Sequence, residues 1–539
     1  MLIRAVATVN TKYGWKIILN SPFQAKDDIK ELDWDKFHPT WSGSAWLIDL
    51  KQLDSLYSVF QKLGHDLIIE EPVKKEYEKI TGFKFVLEKD KIQLLLSENE
   101  FKVKADTPVL TILEDELCYE DENKEYMPAY ISGDWDGYVR LFGGGIGPIG
   151  LFDRARKVLD EYDYEYEVHD NRKESGKKTN FKWHAYDLRA YQKYIIKKVL
   201  INGGGIISLP TASGKTVTAL KLIHKLQMPT LITVHTKQLL YQWEDEIKYT
   251  FQCDCGLIGD KNWKEDDITV ATVQTLLSKG INKLKNRYDI WIPDECHITS
   301  AADKYFQLGK ELKAVWRVGL SATPWRKSKG ESMKIEGAVG GLVKNVPASF
   351  LIKKGYLAEP YFQIIENPRK AFGFSYADVY KRYIEDNQLR NMNIAEKALE
   401  MIENGYKVFI SVRRISQGKA LKKLCGGVFL QGKDDMDLRK QTIEDFENGK
   451  INPLISTLLK EGANIPSMSC VILADGLKSD INTIQTIGRV LRQKEGSNHG
   501  YVIDVRDTGK YIGHHFYERQ KTMKEYYGKY YQENKDYDI

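Results

Sequence analysis

The chain has 539 residues, 42% of them hydrophobic and 29% charged, with a formal net charge of +5; this composition suits a soluble protein of three or four domains and neither demands nor excludes a nucleic-acid partner. No apolar run approaches the ~18 residues of a membrane span, and the first 19 residues are broken by Arg4, Lys12 and Lys16, so neither a spanning helix nor a secretory leader is expected. Six scattered cysteines, of which only Cys253 and Cys255 lie close together, argue against a zinc site or a disulfide framework and for reduced thiols in the cytoplasm, or a host's cytoplasm for a viral protein.

Residues 1–74 read as a small α+β unit, with strand-like runs at 5–9, 15–19 and 46–50 and an amphipathic helix at 51–63. Trp34, Trp41 and Trp46 suit either stacking on bases or a small core, and the core reading is preferred. Residues 75–180 hold a second unit and a linker. FKFVLE and KIQLLL flank Lys89-Asp90-Lys91 as a hairpin, and WDGYVRLF occupies 135–142. The glycine cluster at 143–150 lacks a following Lys-Ser/Thr, so a mobile loop is expected there rather than a nucleotide site. HDNRKESGKKTN at 169–180 is free of apolar residues and reads as the linker.

From residue 181 the pattern changes to alternating strands and helices. GGIISL suits a buried parallel strand, and the helix-forming run 216–226 follows LPTASGKT at 209–216. A loop between strand and helix turns backbone N–H groups toward a phosphate chain, here from Pro210, Thr211, Ala212, Ser213 and Gly214. Lys215 would reach the β- and γ-phosphates of ATP, and the Thr216 hydroxyl would hold Mg²⁺. Leu209 stands where that pattern wants its first glycine. Further strands are predicted at 230–234, 268–271, 289–293 and 317–320, with helices at 237–249 and 302–312. The strand at 289–293 delivers Asp294 and Glu295 at its carboxyl end, where open α/β sheets bind ligands. Asp294 would bind Mg²⁺ and Glu295 would orient and deprotonate the attacking water. The two motifs are expected on neighbouring strands of one sheet.

A second doubly wound unit is predicted over 351–510, after the first over 181–350. Its strands fall at 407–412, 454–457, 471–474 and 500–505, and its helices at 418–424, 437–448 and 482–490. Residues 511–539 read as a helix and tail rich in Tyr and Lys, packed back on this unit in preference to touching single strands.

DLRAYQ at 187–192, LPTASGKT, DECH at 294–297, SATP at 321–324 and QTIGRVLR at 485–492 occur in one order, and over roughly 185–507 the chain resembles the superfamily 2 helicases. The resemblance implies two tandem RecA-like α/β domains that close on ATP, preceded here by small α+β accessory domains. It makes Arg489 and Arg492 arginine fingers, with Gln485 in the same motif. Ser321 and Thr323 would couple hydrolysis to domain movement, with His297 as polar partner. Arg189 and Gln192 would recognise adenine, and Gly462 and Asn464, the latter in place of the family's usual Asp, would reach the ribose. Ala212 stands where many helicases have Gly, and His235 where relatives often have Pro. Thr236, Thr272 and Gln274 in the first domain, and Ser411, Arg413, Ser456 and Thr457 in the second, would contact nucleic-acid phosphates without reading bases; Trp243, beside Gln242, falls in the same strand-tracking group.

With WDGYVRLF and Gly150-Leu151 upstream, the chain looks most similar to the phage UvsW-like, XPB-related DNA helicases, and residues 37–64 resemble HARP modules. This kinship implies an ATP- and Mg²⁺-dependent DNA helicase or translocase that remodels branched or forked DNA by branch migration and strand annealing during replication or recombination. A duplex translocase without strand separation and an RNA helicase remain as alternatives.

Overall fold

Val, Ile and Leu crowd the short runs between residues 204 and 345, and runs too apolar to face water on either side become inner strands of a parallel sheet. The computed structural model describes residues 2–11, 14–21, 29, 32, 40–42, 45–53, 56, 59–60, 66–81, 92–174, 176–296, 299–322, 328–457, 468–478, 480–492 and 498–533. The chain divides into two compact units, Met1–Asn171 and Arg172–Ile539.

The second unit holds two lobes. The first is an eight-stranded sheet in the order Asn262–Lys264, Gly256–Gly259, Ile268–Thr272, Thr230–Val234, Ile290–Pro293, Trp316–Ser321, Gly204–Ser208, Leu342–Asn345. All neighbours are parallel except the outermost pair. The strand Trp316–Ser321 lies between the one that feeds the loop at 209–216 and the one that feeds Asp294. The expected adjacency of the two motif strands is therefore corrected: they flank a third. Gly319 on that middle strand leaves the room this needs, since a Cβ there would meet Cys296 Sγ at 3.1 Å. Helix Lys237–Phe251 buries Leu240, Trp243, Ile247 and Phe251 along one stripe, and Thr236 caps it by accepting from the Leu239 N–H at 3.2 Å.

The second lobe is a six-stranded, all-parallel sheet in the order Glu359–Ala371, His499–Gly509, Cys470–Leu473, Val408–Ser411, Leu454–Ser456, Val428–Leu430. The long edge strand Glu359–Ala371 was not expected from the sequence; its outer half is polar and lacks a period-2 pattern. Helix Ile512–Tyr527 closes this lobe. Its Arg519 forks onto Asp504 at 2.9 and 3.1 Å with both side chains buried, and Tyr527 and Tyr531 pack at a tilt on Phe362, ring centroids 5.7 and 4.8 Å away.

In the first unit a five-stranded sheet (Thr40–Trp41, Trp46–Asp49, Gly14–Asn20, Leu2–Thr11, Asp66–Ile69) carries a core that includes Trp46 and, from helix Glu71–Thr81, Val73 and Tyr77. The boundary expected at 74 thus falls after this helix. Trp41 is exposed and leans on Trp46 at 5.3 Å; Trp34 lies outside the described residues. A four-stranded sheet (Ile146–Pro148, Glu100–Lys104, Ile92–Leu96, Tyr166–Asp170) follows. Its hairpin joins Ile92–Leu96 to Glu100–Lys104; the expected one rests on residues 82–91, outside the described set. The glycine cluster is a packed edge rather than a mobile loop, for a Cβ on Gly147 would strike the Phe101 ring at 2.8 Å. The linker starts at 171, because 169 and 170 end a strand. Among the described residues no helix is long and apolar enough to cross a membrane.

Candidate active site

Strand Gly204–Ser208 runs into helix Lys215–Leu226 through a tight loop whose shape follows from its residues. Ala212 sits at φ 66° and Gly214 at φ 82°, left-handed conformations that glycine adopts freely and alanine only at a cost of ~1 kcal/mol. The Ser213 hydroxyl donates back to the Pro210 carbonyl at 2.5 Å, and the Tyr191 hydroxyl donates to the Ser213 carbonyl. Gln192 is buried. Its Oε1 accepts from the Arg189 N–H at 2.9 Å and its Nε2 donates to the Gly214 carbonyl at 3.3 Å, so its amide braces the loop here rather than facing an adenine edge. The Arg189 guanidinium lies over the Tyr356 ring at 4.8 Å, and Tyr191 packs on the same ring at 5.4 Å.

Across the loop, Lys215 Nζ donates to Glu295 Oε1 at 2.7 Å. Glu295 stands at φ 47°, a strained conformation for a residue with a side chain, and such strain concentrates at functional positions. Asp294 is buried. One of its oxygens accepts from the Glu295 N–H at 2.9 Å and the other from the indole N–H of Trp243 at 2.8 Å. Burial, and then the charge of Glu295, hold the Asp294 carboxyl above the usual range, with Lys215 opposing. The Tyr305 hydroxyl donates to the Asp294 carbonyl at 2.7 Å and meets His235 Nε2 at 2.7 Å. Burial lowers the pKa of His235 to about 4, so it is neutral near pH 7.

The second lobe completes the pocket. Gly488 touches the phosphate loop closely enough that a Cβ on it would meet Thr211 Cβ at 2.6 Å. One residue on, Arg489 is buried, and burial lowers it to about 10, with the charge of Arg492 adding and that of Glu295 opposing. Its Nη1 and the Thr211 Oγ1 are buried with no hydrogen-bond partner among the described residues. A buried, unneutralised guanidinium beside a phosphate-type loop fits a polyanion such as ATP. Arg492 diverges from Arg489: burial lowers its pKa too, but its charge neighbours are Glu246 on the first lobe and Glu447 on the second. Tyr526 of the C-terminal helix is raised by burial and then by the charge of Glu295.

The remaining expected residues separate into groups. Ser321 is buried, and its carbonyl accepts from the Leu209 N–H at 2.9 Å, tying the middle strand to the loop. Gln485 is half-buried on helix Asp480–Val490, and Thr216 opens the loop helix. Among the expected strand contacts, Gln274 and Arg413 are exposed and Thr236 and Thr457 half-buried. The hydroxyls of three others are spent inside the lobes: Thr272 on Thr275 Oγ1 at 2.8 Å, Ser411 on Asp475 at 3.4 Å and Ser456 on the Leu430 carbonyl at 2.8 Å. All three of these residues, expected to meet a phosphate chain, are buried. Trp243, grouped by sequence with the strand-tracking motif, is buried against Asp294 instead. His297, Thr323, Gly462 and Asn464 lie outside the described residues.

Residues 185–326 match the family described as type III restriction enzyme, res subunit, and residues 390–494 match the helicase conserved C-terminal domain. The chain is 26% identical over 436 residues to the ATP-dependent DNA helicase uvsW of Enterobacteria phage T4, covering 74% of this chain and 86% of that one. It is 27% identical over 351 residues to the DNA 3'-5' translocase XPB2 of Sulfurisphaera tokodaii, covering 57% and 79%. Among solved structures, T4 UvsW aligns over 81% of this chain and 97% of its own, at 20% identity and a TM-score of 0.40. Both matched domains stand in order around one cleft; the chain carries the two domains of an ATP-driven DNA helicase and is similar to the UvsW and XPB proteins.

Proposed function

We propose that this enzyme is a DNA helicase or translocase that uses ATP and Mg²⁺ to remodel branched or forked DNA. The observation that carries the catalytic part is the contact of Gly488 with Thr211, which brings the buried Arg489 of one lobe to the loop and to Glu295 of the other. Lys215 takes the β- and γ-phosphates, leaving Glu295 to orient the attacking water. Arg489 neutralises charge that develops on the γ-phosphate, with Gln485 in the same motif, while Arg492, whose charge neighbours are Glu246 on one lobe and Glu447 on the other, holds the lobes in register. The Thr216 hydroxyl and the Asp294 carboxylate are hard oxygen donors of the kind Mg²⁺ prefers, and the ion would neutralise phosphate charge there. ATP binding draws the lobes together and product release lets them part. Gln274, Thr236, Arg413 and Thr457 follow the strand along the exposed rims.

The DNA assignment rests on the kinship with proteins named for work on DNA, and branched substrates on the UvsW side of it. The test is ATP-driven processing by the purified full chain of matched fork, Holliday-junction, linear-duplex and RNA substrates. Fork and junction processing with displaced strand is expected. ATP hydrolysis stimulated by duplex without any displaced strand would favour a translocase, and stimulation by RNA alone would overturn the assignment.

A further inference from the structure

In an all-parallel sheet every strand ends on the same rim, and in the second lobe two strands overshoot it. Ser411 aligns with Leu473, and Leu473 with Asp504, yet the pair Glu359–Ala371 and His499–Gly509 runs on to Ala371 and Gly509. Five further residues at ~3.3 Å each carry this ribbon roughly 16 Å past the row that bears Ser411. At its tip Phe372 is 73% exposed and Phe374 is 99% exposed. Exposed phenylalanines usually belong to slack loops, but this tip is fixed. The Lys510 N–H donates to the Ala371 carbonyl at 2.9 Å, the Tyr511 hydroxyl donates to the Phe374 carbonyl at 3.2 Å, and Ser375 caps the next helix by accepting from the Asp378 N–H at 3.2 Å. Between the rings, a Cβ on Gly373 would strike Val379 at 2.7 Å, so the turn is pressed onto the core beneath it.

The one carboxylate against the turn, Asp378, whose Oδ2 would lie 3.1 Å from a Cβ on Gly373, is paired with Arg382 at 2.7 Å, and other cations stand around it unpaired. Arg369 lies over Tyr383 at 5.0 Å, Arg413 lies over Tyr380 at 5.5 Å and donates to the Tyr376 hydroxyl at 3.3 Å, and Lys370, Arg414 and Lys510 are exposed nearby in the chain. None of these five cations has a carboxylate partner among the described residues. Apolar rings that stand proud of unpaired cations match unpaired bases on a phosphate chain: the ring faces stack and the cations meet the backbone. An apolar protein surface would gain from the rings but not from the cations. We propose that Phe372 and Phe374 form a stacking pin for unpaired bases, which holds a strand open as it leaves Arg413. This rests on the nucleic-acid reading above and adds a second kind of contact to it.

The test uses the full chain with both rings removed, Phe372→Ala/Phe374→Ala, and with aromatic faces kept, Phe372→Trp/Phe374→Trp; circular dichroism and melting temperature establish that both fold. The probe is a single-stranded DNA oligonucleotide carrying 2-aminopurine, beside an abasic oligonucleotide of the same length. The parent and the Trp variant are expected to quench 2-aminopurine and to favour the base-bearing strand. The Ala variant is expected to lose the quenching and to bind the base-bearing strand about tenfold to a hundredfold more weakly, while its affinity for the abasic strand stays near the parent's. Equal binding and quenching by the Ala variant and the parent would overturn the pin, as would parent self-association in gel filtration that the Ala change abolishes without touching base binding. A parent that binds neither oligonucleotide would instead sink the underlying nucleic-acid assignment.

Discussion

Replacing Trp243 by Phe removes one N–H from the nucleotide site while keeping most of the ring. The bond it deletes is 2.8 Å long, from an indole 2% exposed to a carboxylate 7% exposed. Hydrogen bonds to charged groups contribute about 1.5–3 kcal/mol, and here no water can take the donor's place without entering the core. The lost half-ring adds a cavity cost of about 1 kcal/mol. The variant should therefore unfold in urea with a stability loss of about 2.5–4 kcal/mol. Its released Asp294 oxygen is free to rotate, so kcat for ATP should fall about 10–100-fold and the Mg²⁺ concentration for half-maximal rate should rise. A double-mutant cycle with Asp294→Asn isolates the pair, and a coupling of about 1.5–3 kcal/mol is expected in the stability measurement. A Trp243→Phe protein with an unchanged urea midpoint and ATP turnover within twofold of the parent would refute the positioning role.

Gly488→Ala should leave the melting temperature unchanged or raise it slightly, since alanine suits a helix interior better by about 1 kcal/mol. Its methyl would still meet Thr211 at 2.6 Å and hold the lobes apart, so ATP turnover should fall at least tenfold; a fully active variant would remove the steric argument. Glu295→Gln breaks the ion pair that occupies Lys215. A fluorescent ATP analogue should then bind about five- to thirtyfold more tightly as hydrolysis disappears, for a pair worth about 1–2 kcal/mol; weaker binding would mean that Lys215 is already free in solution. His235 has its folded pKa lowered from 6.5 to about 4, so the folded state resists protonation. Stability is full above pH 6.5 and falls as pH drops from 6.5 toward 4, by up to about 3 kcal/mol, a decline that His235→Gln should lack in urea titrations across that range.

The apolar strands and the helix stripes between 204 and 321 were legible because burial on both faces leaves a continuous hydrophobic run, which a sequence displays directly. The order of the strands was not. The interposed Trp316–Ser321 comes after both motif strands in the chain, and only the side-to-side register sets it between them. Thr272, Ser411 and Ser456 end their strands with hydroxyls that a sequence cannot distinguish from solvent-facing ones; their acceptors lie on other segments or a turn away. Trp243 shows the same limit from the other side. Its place on an apolar helix stripe marks it as core, and nothing in the stripe announces that its N–H meets a carboxylate 51 residues further on. The edge strand Glu359–Ala371 escaped because Gln363, Glu366, Asn367, Arg369 and Lys370 break the apolar run where one face meets water.

The bonds to Asp294 give the two faces of the first lobe a shared part. Its carboxylate is held by Trp243, on the helix that Thr236 caps, and its carbonyl by Tyr305, whose hydroxyl meets His235 one residue before that cap. Gln274, exposed on the rim, donates to the His235 carbonyl at 3.2 Å. A strand that shifts the segment of His235 and Thr236 therefore moves the two side-chain donors to Asp294, Trp243 and Tyr305, whereas a strand held only by exposed lysines would move neither. Close packing makes such a shift discrete rather than graded, because buried side chains change partners in steps. Coupling between nucleic acid and ATP in this lobe then needs no long relay: the two sites are separated by about two helix turns on one side and one buried hydroxyl on the other.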